Sequence, residues 1–159
     1  MDQGTRQELI ARYKGGHRVV MEAVTGLTDT ELDARGEPGE WTTRQIIHHL
    51  ADSEMTSAIR LRRLLAEDQP EIQGYDEAAF AERLHYDRPV AASLDALKAA
   101  RASSAELLDR LTETDWLREG THTQSGRYTV EDWLTIYAAH AHDHADQIQR
   151  AQGGSSEVS

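Results

Sequence analysis

Two hexapeptides, WTTRQI at residues 41–46 and YTVEDW at residues 128–133, open two long patterned segments with one grammar. In each, a threonine (Thr42, Thr129) can cap a helix, and the residue three further on (Gln45, Asp132) can answer the cap's own N–H to close a capping box. In each, the aromatic residue before the cap faces an apolar residue in the first turn, Trp41 to Ile46 and Tyr128 to Trp133, as in a hydrophobic staple. A helix start pinned on both sides fixes which face comes next. From Ile46 the apolar stripe runs through Leu50, Ala58, Leu61 and Leu65 to an end near Ala66. From Trp133 it runs through Ile136, Tyr137, His140, His144 and Ile148 until Gly153 and Gly154 stop it.

Two further segments carry a helical stripe. Residues 6–24 show Leu9, Ile10, Tyr13, Val20 and Met21, with Gly15 and Gly16 weakening the middle. After Pro89, which a first turn tolerates, the stripe is Leu94, Leu97, Ala100, Leu107, Leu108 and Leu111. Four long amphipathic helices predict an all-α chain folded as a four-helix bundle. A long segment with Pro70, Gly74 and Pro89 separates the second helix from the third, with a short helix expected over 75–84. TETDWL suggests a helical turn, and EGTHTQSGRYT a loop or small hairpin. One domain is expected over residues 1–152, with a disordered tail over 153–159.

Composition removes several classes of function. The net charge of -11 opposes binding to a nucleic-acid backbone, and the basic residues are scattered, Arg60, Arg62 and Arg63 being the densest group. There is no cysteine, hence no disulfide framework, thiolate metal site or thiol nucleophile. No apolar run approaches a membrane span and no secretory signal is visible, so a cytoplasmic location is the expectation.

The histidines are in mild excess, eight in a chain with one phenylalanine. In HAHDHADQI, His140 and His144 differ by about 40° around a helix and point the same way, whereas His142 lies about 200° from His140 and points outward. Gln147 shares the face of the pair. Two histidines in ordinary hydrogen bonds are the competing explanation. The pair nevertheless continues an apolar stripe, where one cation would satisfy both lone pairs at once. A third candidate is His49, at the edge of the Ile46–Leu50 stripe; His48, about 160° from Leu50, is expected to be partly exposed.

His49 lies seven residues after Thr42, near the start of its helix, and His144 lies seven before Ala151, near the end of another. At a rise of about 1.5 Å per residue, the two match in height only if those helices are antiparallel. If all three histidines hold one metal, the long segment must cross over and the order is up-down-down-up. Three neutral imidazoles leave a coordination position open, as catalytic sites do. Zn(II) is the first choice, with Ni(II), Fe(II) and Mn(II) as alternatives. Asp52 and Asp143 are weak candidates for a proton acceptor; solvated carboxylates are the expectation for these and for Glu54 and Asp146.

WTTRQIIHHLADSE, followed much later by a loop glycine, YTVEDW and HAHDHADQI, resembles the DinB/YfiT-like metalloenzyme superfamily over nearly the whole chain. The resemblance implies an up-down-down-up four-helix bundle with a divalent metal on three histidines, falling here on His49, His140 and His144, and Gln147 matches the frequent glutamine of the terminal motif. Superfamily members transfer low-molecular-weight thiols such as bacillithiol or mycothiol, isomerise with mycothiol, or are described as metal-dependent hydrolases. Many are homodimers, which this sequence neither supports nor excludes. The first expectation is therefore transfer of a low-molecular-weight thiol to a small electrophile, with Arg60, Arg62, Arg63 or Arg127 available for substrate carboxylates. The alternatives are hydrolysis of small esters or amides, and a non-enzymatic metal-binding stress-response protein.

Overall fold

Both expected capping boxes form. Gln45 N–H donates to Thr42 Oγ1 at 3.2 Å, and Thr42 N–H donates to Gln45 Oε1 at 2.8 Å. Thr129 and Asp132 make the same exchange at 3.0 and 2.9 Å. The structure, a computed structural model, describes residues 1–153. Its long helices are α1 (Gln3–Val24), α3 (Thr43–Ala66), α5 (Ala91–Leu108) and α7 (Val130–Gly153). Short helices α2 (Asp29–Leu32), α4 (Glu77–Arg83) and α6 (Glu113–Trp116) lie between them. α7 is described as far as Gly153, and the rest of the expected tail lies outside the described residues.

Side-chain pairs fix the helix directions. Arg6, early in α1, bonds Glu131 at the start of α7, so the two run parallel. Gln152, near the end of α7, donates to Thr43 at the start of α3, while Trp133 Nε1 donates to Ser57 O further along α3, so α3 and α7 are antiparallel. His48 pairs with Ser93 near the starts of α3 and α5, and Arg62 with Ser103 further along both, so these run parallel. The order is up-down-down-up, and residues 67–90 form the crossover.

The crossover is bound to α3 rather than looped into solvent. The Tyr86 hydroxyl donates to Asp52 at 2.6 Å, and Arg60 and Arg63 donate to the carbonyls of Gln73 and Glu71. It also contributes an unexpected strand. β2 (Glu119–His122) and β3 (Gly126–Thr129) form the small hairpin, and β1 (Glu71–Ile72) adds to β2 in parallel, Ile72 opposite His122. Two residues are too few to show a strand's alternation. Gly120 makes the approach possible, because a Cβ there would collide with the Pro70 carbonyl.

The core has two parts. Tyr13, Leu61, Leu64, Trp133 and Leu134 fill one, and Val20, Ile46, Ile47, Leu50, Leu97 and Ile148 the other. Each fully buried aliphatic side chain contributes about 1.5–3 kcal/mol. Between the two parts along α3 sits the buried ion pair of Glu54 and Arg101. Ile136 departs from the expected stripe: it is 47 % exposed, because α7 turns Trp133, Leu134, Tyr137 and Ala138 to the core and leaves Ile136 on the flank. Among the described residues, no helix is long and apolar enough to cross a membrane.

Candidate metal centre

The antiparallel pairing of α3 and α7 brings the start of one beside the end of the other, and with it His49 beside His140 and His144. The ring centroids of His49 stand 5.2 Å from His140 and 4.8 Å from His144, and those two are 4.6 Å apart. One nitrogen from each ring lies within 4.8 Å of the others, and this is the one such cluster found among the described residues. The Nε2 atoms of His49 and His140 are 3.2 Å apart. Nitrogens on one tetrahedral metal at ~2.0–2.1 Å stand about 3.3 Å from each other, so this pair already has ligand spacing.

The electrostatics suit a cation better than a proton. Burial, reinforced by the neighbouring His144, pushes His49 down to about 4. Burial, with His144 and His49 adding to it, pushes His140 down to about 2. Burial lowers His144 as well, against the opposing hydrogen bond to Gln147. All three rings are therefore neutral near pH 7 and keep a lone pair to give. Gln147 Oε1 lies 2.8 Å from His144 Nδ1. A carbonyl oxygen only accepts, so Nδ1 carries the proton and the Nε2 lone pair is left free to meet a cation. His49 packs on Trp41 at 4.9 Å between ring centroids, and its Nδ1 is buried without a partner.

Neighbouring residues divide between the site and the frame. His142 points away, its Nε2 2.9 Å from the Arg12 carbonyl on α1. His48 is fully buried, not partly exposed: its side of α3 is covered by α5 and the crossover, which supply Ser93 Oγ at 2.7 Å and the Arg88 carbonyl at 2.9 Å. Asp52 and Glu54 are also buried rather than solvated, held by Tyr86 and by Arg101. Asp143 and Asp146 are exposed, and the charge of Asp143 favours protonated His144. Of the arginine candidates, Arg62 bonds Ser103 and Ser104, Arg63 pairs with Glu67, and Arg127 with Glu119.

Arg60 alone among them faces a cavity that His140 also borders. Its volume is about 240 Å³, and its wall includes Ser53, Tyr75, Glu77, His122 and Tyr137. Glu77 is the one carboxylate on that wall, and its charge also favours protonated His144. Sequence reasoning missed it. An acid in the first turn of a short helix, just after the Asp76 cap, looks like an ordinary partner of the helix dipole.

The DinB superfamily profile matches residues 12–148. A protein of Oceanobacillus iheyensis named "Putative metal-dependent hydrolase" is 37% identical over 131 residues, 82% of this chain and 76% of its own. YfiT of Bacillus subtilis, which carries the same name, is 36% identical over 129 residues, 80% of this chain and 72% of its own. A solved structure of YfiT, described as "a probable metal-dependent hydrolase with an unusual four-helix bundle topology", superposes with a TM-score of 0.90 at 31% identity, covering 96% of this chain and 89% of that one.

Proposed function

The chain belongs to the DinB superfamily, and on that premise we propose that it is a metal-dependent hydrolase of small esters or amides, with His49, His140 and His144 holding one divalent metal. One observation carries this: three neutral imidazoles converge beside a cavity with a carboxylate on its wall. A divalent metal bound there polarises a carbonyl and acidifies water. The protein's own groups do the rest. Gln147 fixes the tautomer of His144, Trp41 supports the ring of His49, and Glu77 accepts a proton at its carboxylate from the cavity side. Zn(II) is the metal of first choice; Ni(II), Fe(II) and Mn(II) suit the same imidazoles.

Thiol transfer uses the same open position and remains the second activity. Hydrolysis comes first because the relatives carry that name. Steady-state assays on 4-nitrophenyl acetate, and on a low-molecular-weight thiol with a model electrophile, separate the two. Metal-dependent ester turnover, lost in His144→Ala and reduced about 10²-fold or more in Glu77→Gln with metal content intact, is the expected result. Turnover of the thiol pair alone would overturn hydrolysis. No turnover with any metal loaded would leave a binding protein.

A further inference from the structure

Five buried side-chain polar atoms among the described residues have no hydrogen-bond partner in the protein. Two of them, Arg60 Nε and the Tyr75 hydroxyl, belong to residues on the wall of the cavity that His140 borders. The guanidinium of Arg60 lies 5.9 Å from the Tyr75 ring centroid, its charge acts on the Tyr75 phenol, and Ser53 stands close to the same hydroxyl. Folds rarely leave such donors unmet, and rarely in one place. A third, His49 Nδ1, belongs to the neighbouring histidine cluster.

Arg60 pairs with no carboxylate among the described residues. It donates to the Tyr137 hydroxyl at 3.0 Å and to the Gln73 carbonyl at 2.6 Å, stands close to the Tyr128 hydroxyl, and keeps its Nε–H without a partner. Glu77 borders the same cavity and makes no ion pair with it, so an acid and a base face one space uncombined. Burial holds Tyr75 up to about 12, so its hydroxyl keeps its proton and can donate. Ile136, 47 % exposed, supplies an apolar patch at the cavity.

We propose that this cavity selects a small organic acid. Arg60 and the Tyr75 hydroxyl hold the substrate's carboxylate, Ile136 meets its apolar body, and the ester or amide bond turns toward His140. A planar guanidinium matches a carboxylate through paired hydrogen bonds, which makes a carboxylate the fitting anion. The position of the scissile bond rests on the hydrolase assignment; the carboxylate site does not.

Calorimetric titration of the protein as purified, with its metal content measured, tests this with benzoate, its neutral counterpart benzamide, and inorganic phosphate. Benzoate is expected to bind at least about tenfold more tightly than benzamide or phosphate. Arg60→Met is expected to lose at least about tenfold in benzoate affinity while keeping the same metal per chain. Equal benzoate affinity in Arg60→Met would overturn the site, since the ligand would then be on the metal. Phosphate or benzamide binding as tightly as benzoate would overturn its preference for a carboxylate. If Arg60→Met does not fold, Tyr75→Phe decides: a selective loss for benzoate supports the site, and no change overturns it. Benzoate binding without any ester turnover would keep this site and remove the hydrolase.

Discussion

Arg101 Nη1 and Glu54 Oε2 meet at 2.5 Å with their side chains 3% and 1% exposed. The same guanidinium donates to the carbonyls of Tyr13 and Tyr137, so one side chain on α5 ties together α1, α3 and α7. A buried ion pair survives when its remaining hydrogen-bonding capacity is met. Here the hydroxyls of Tyr13 and Ser57 both donate to Glu54 Oε1. Removing either partner strands a buried charge or leaves its donors unmet. Arg101→Met and Glu54→Gln are each expected to lower the unfolding free energy by about 3–5 kcal/mol in urea titrations. The double variant should lose less than the two losses combined, and full additivity would show that the pair is uncoupled.

Gly16 reports on the same pair from α1. A Cβ on it would stand 2.5 Å from Arg101 Nη2 and 2.7 Å from Arg101 Cζ. Helix propensity alone favours alanine over glycine by about 1 kcal/mol. Gly16→Ala is nevertheless expected to destabilise by about 1–3 kcal/mol, because the collision is with a side chain fixed by buried bonds. In the Arg101→Met background the same change should become neutral or stabilising. Thermal melts of the four proteins decide it; a loss of the same size in both backgrounds would remove Arg101 as the cause.

What could be read from the sequence was local or periodic. Thr42 with Gln45 and Thr129 with Asp132 announce helix starts because a capping box closes within four residues. His140 and His144 announce a shared face because one helical turn separates them. His49 could be joined to them through the heights of two helices, and that gave the crossover. The missing parts depend on distant partners. Glu54 looks like a solvated acid until Arg101, 47 residues on, and Asp52 until Tyr86, 34 residues on. Rotation alone turns His48 away from the core, but Ser93 and Arg88 close over that side. Glu77 comes to the cavity only because the crossover folds back over α3.

The tyrosines predict the alkaline limit of the fold. Tyr13, Tyr75, Tyr86, Tyr128 and Tyr137 are all raised above the ordinary phenol value, burial being the largest cause in every case, and Tyr75 reaches about 12. A group whose folded value is raised holds its proton more tightly when folded. The stability it contributes is complete below about pH 10 and is lost as pH rises through the folded values. Phenolate absorbance is therefore expected to stay low past pH 10 and to appear together with loss of helical circular dichroism. Phenolate forming near pH 10 in a fully helical protein would contradict this burial.

The histidines separate by one rotation of α7, and metal analysis can read that rotation directly. His144→Ala removes a proposed ligand and is expected to lower the metal bound per chain. His142→Ala should leave it unchanged, because His142 meets the Arg12 carbonyl on the far side. Gln147→Leu keeps all three proposed ligands and removes only the acceptor at His144 Nδ1. Freed of that bond, the ring can turn or change tautomer, and metal affinity is expected to fall about 10- to 100-fold in a competition titration with a chelator. The graded order is the decisive feature: His144→Ala weakest, Gln147→Leu intermediate, His142→Ala like the parent. Equal metal in all four proteins would place the metal elsewhere, while equal loss in Gln147→Leu and His142→Ala would point to general destabilisation of α7.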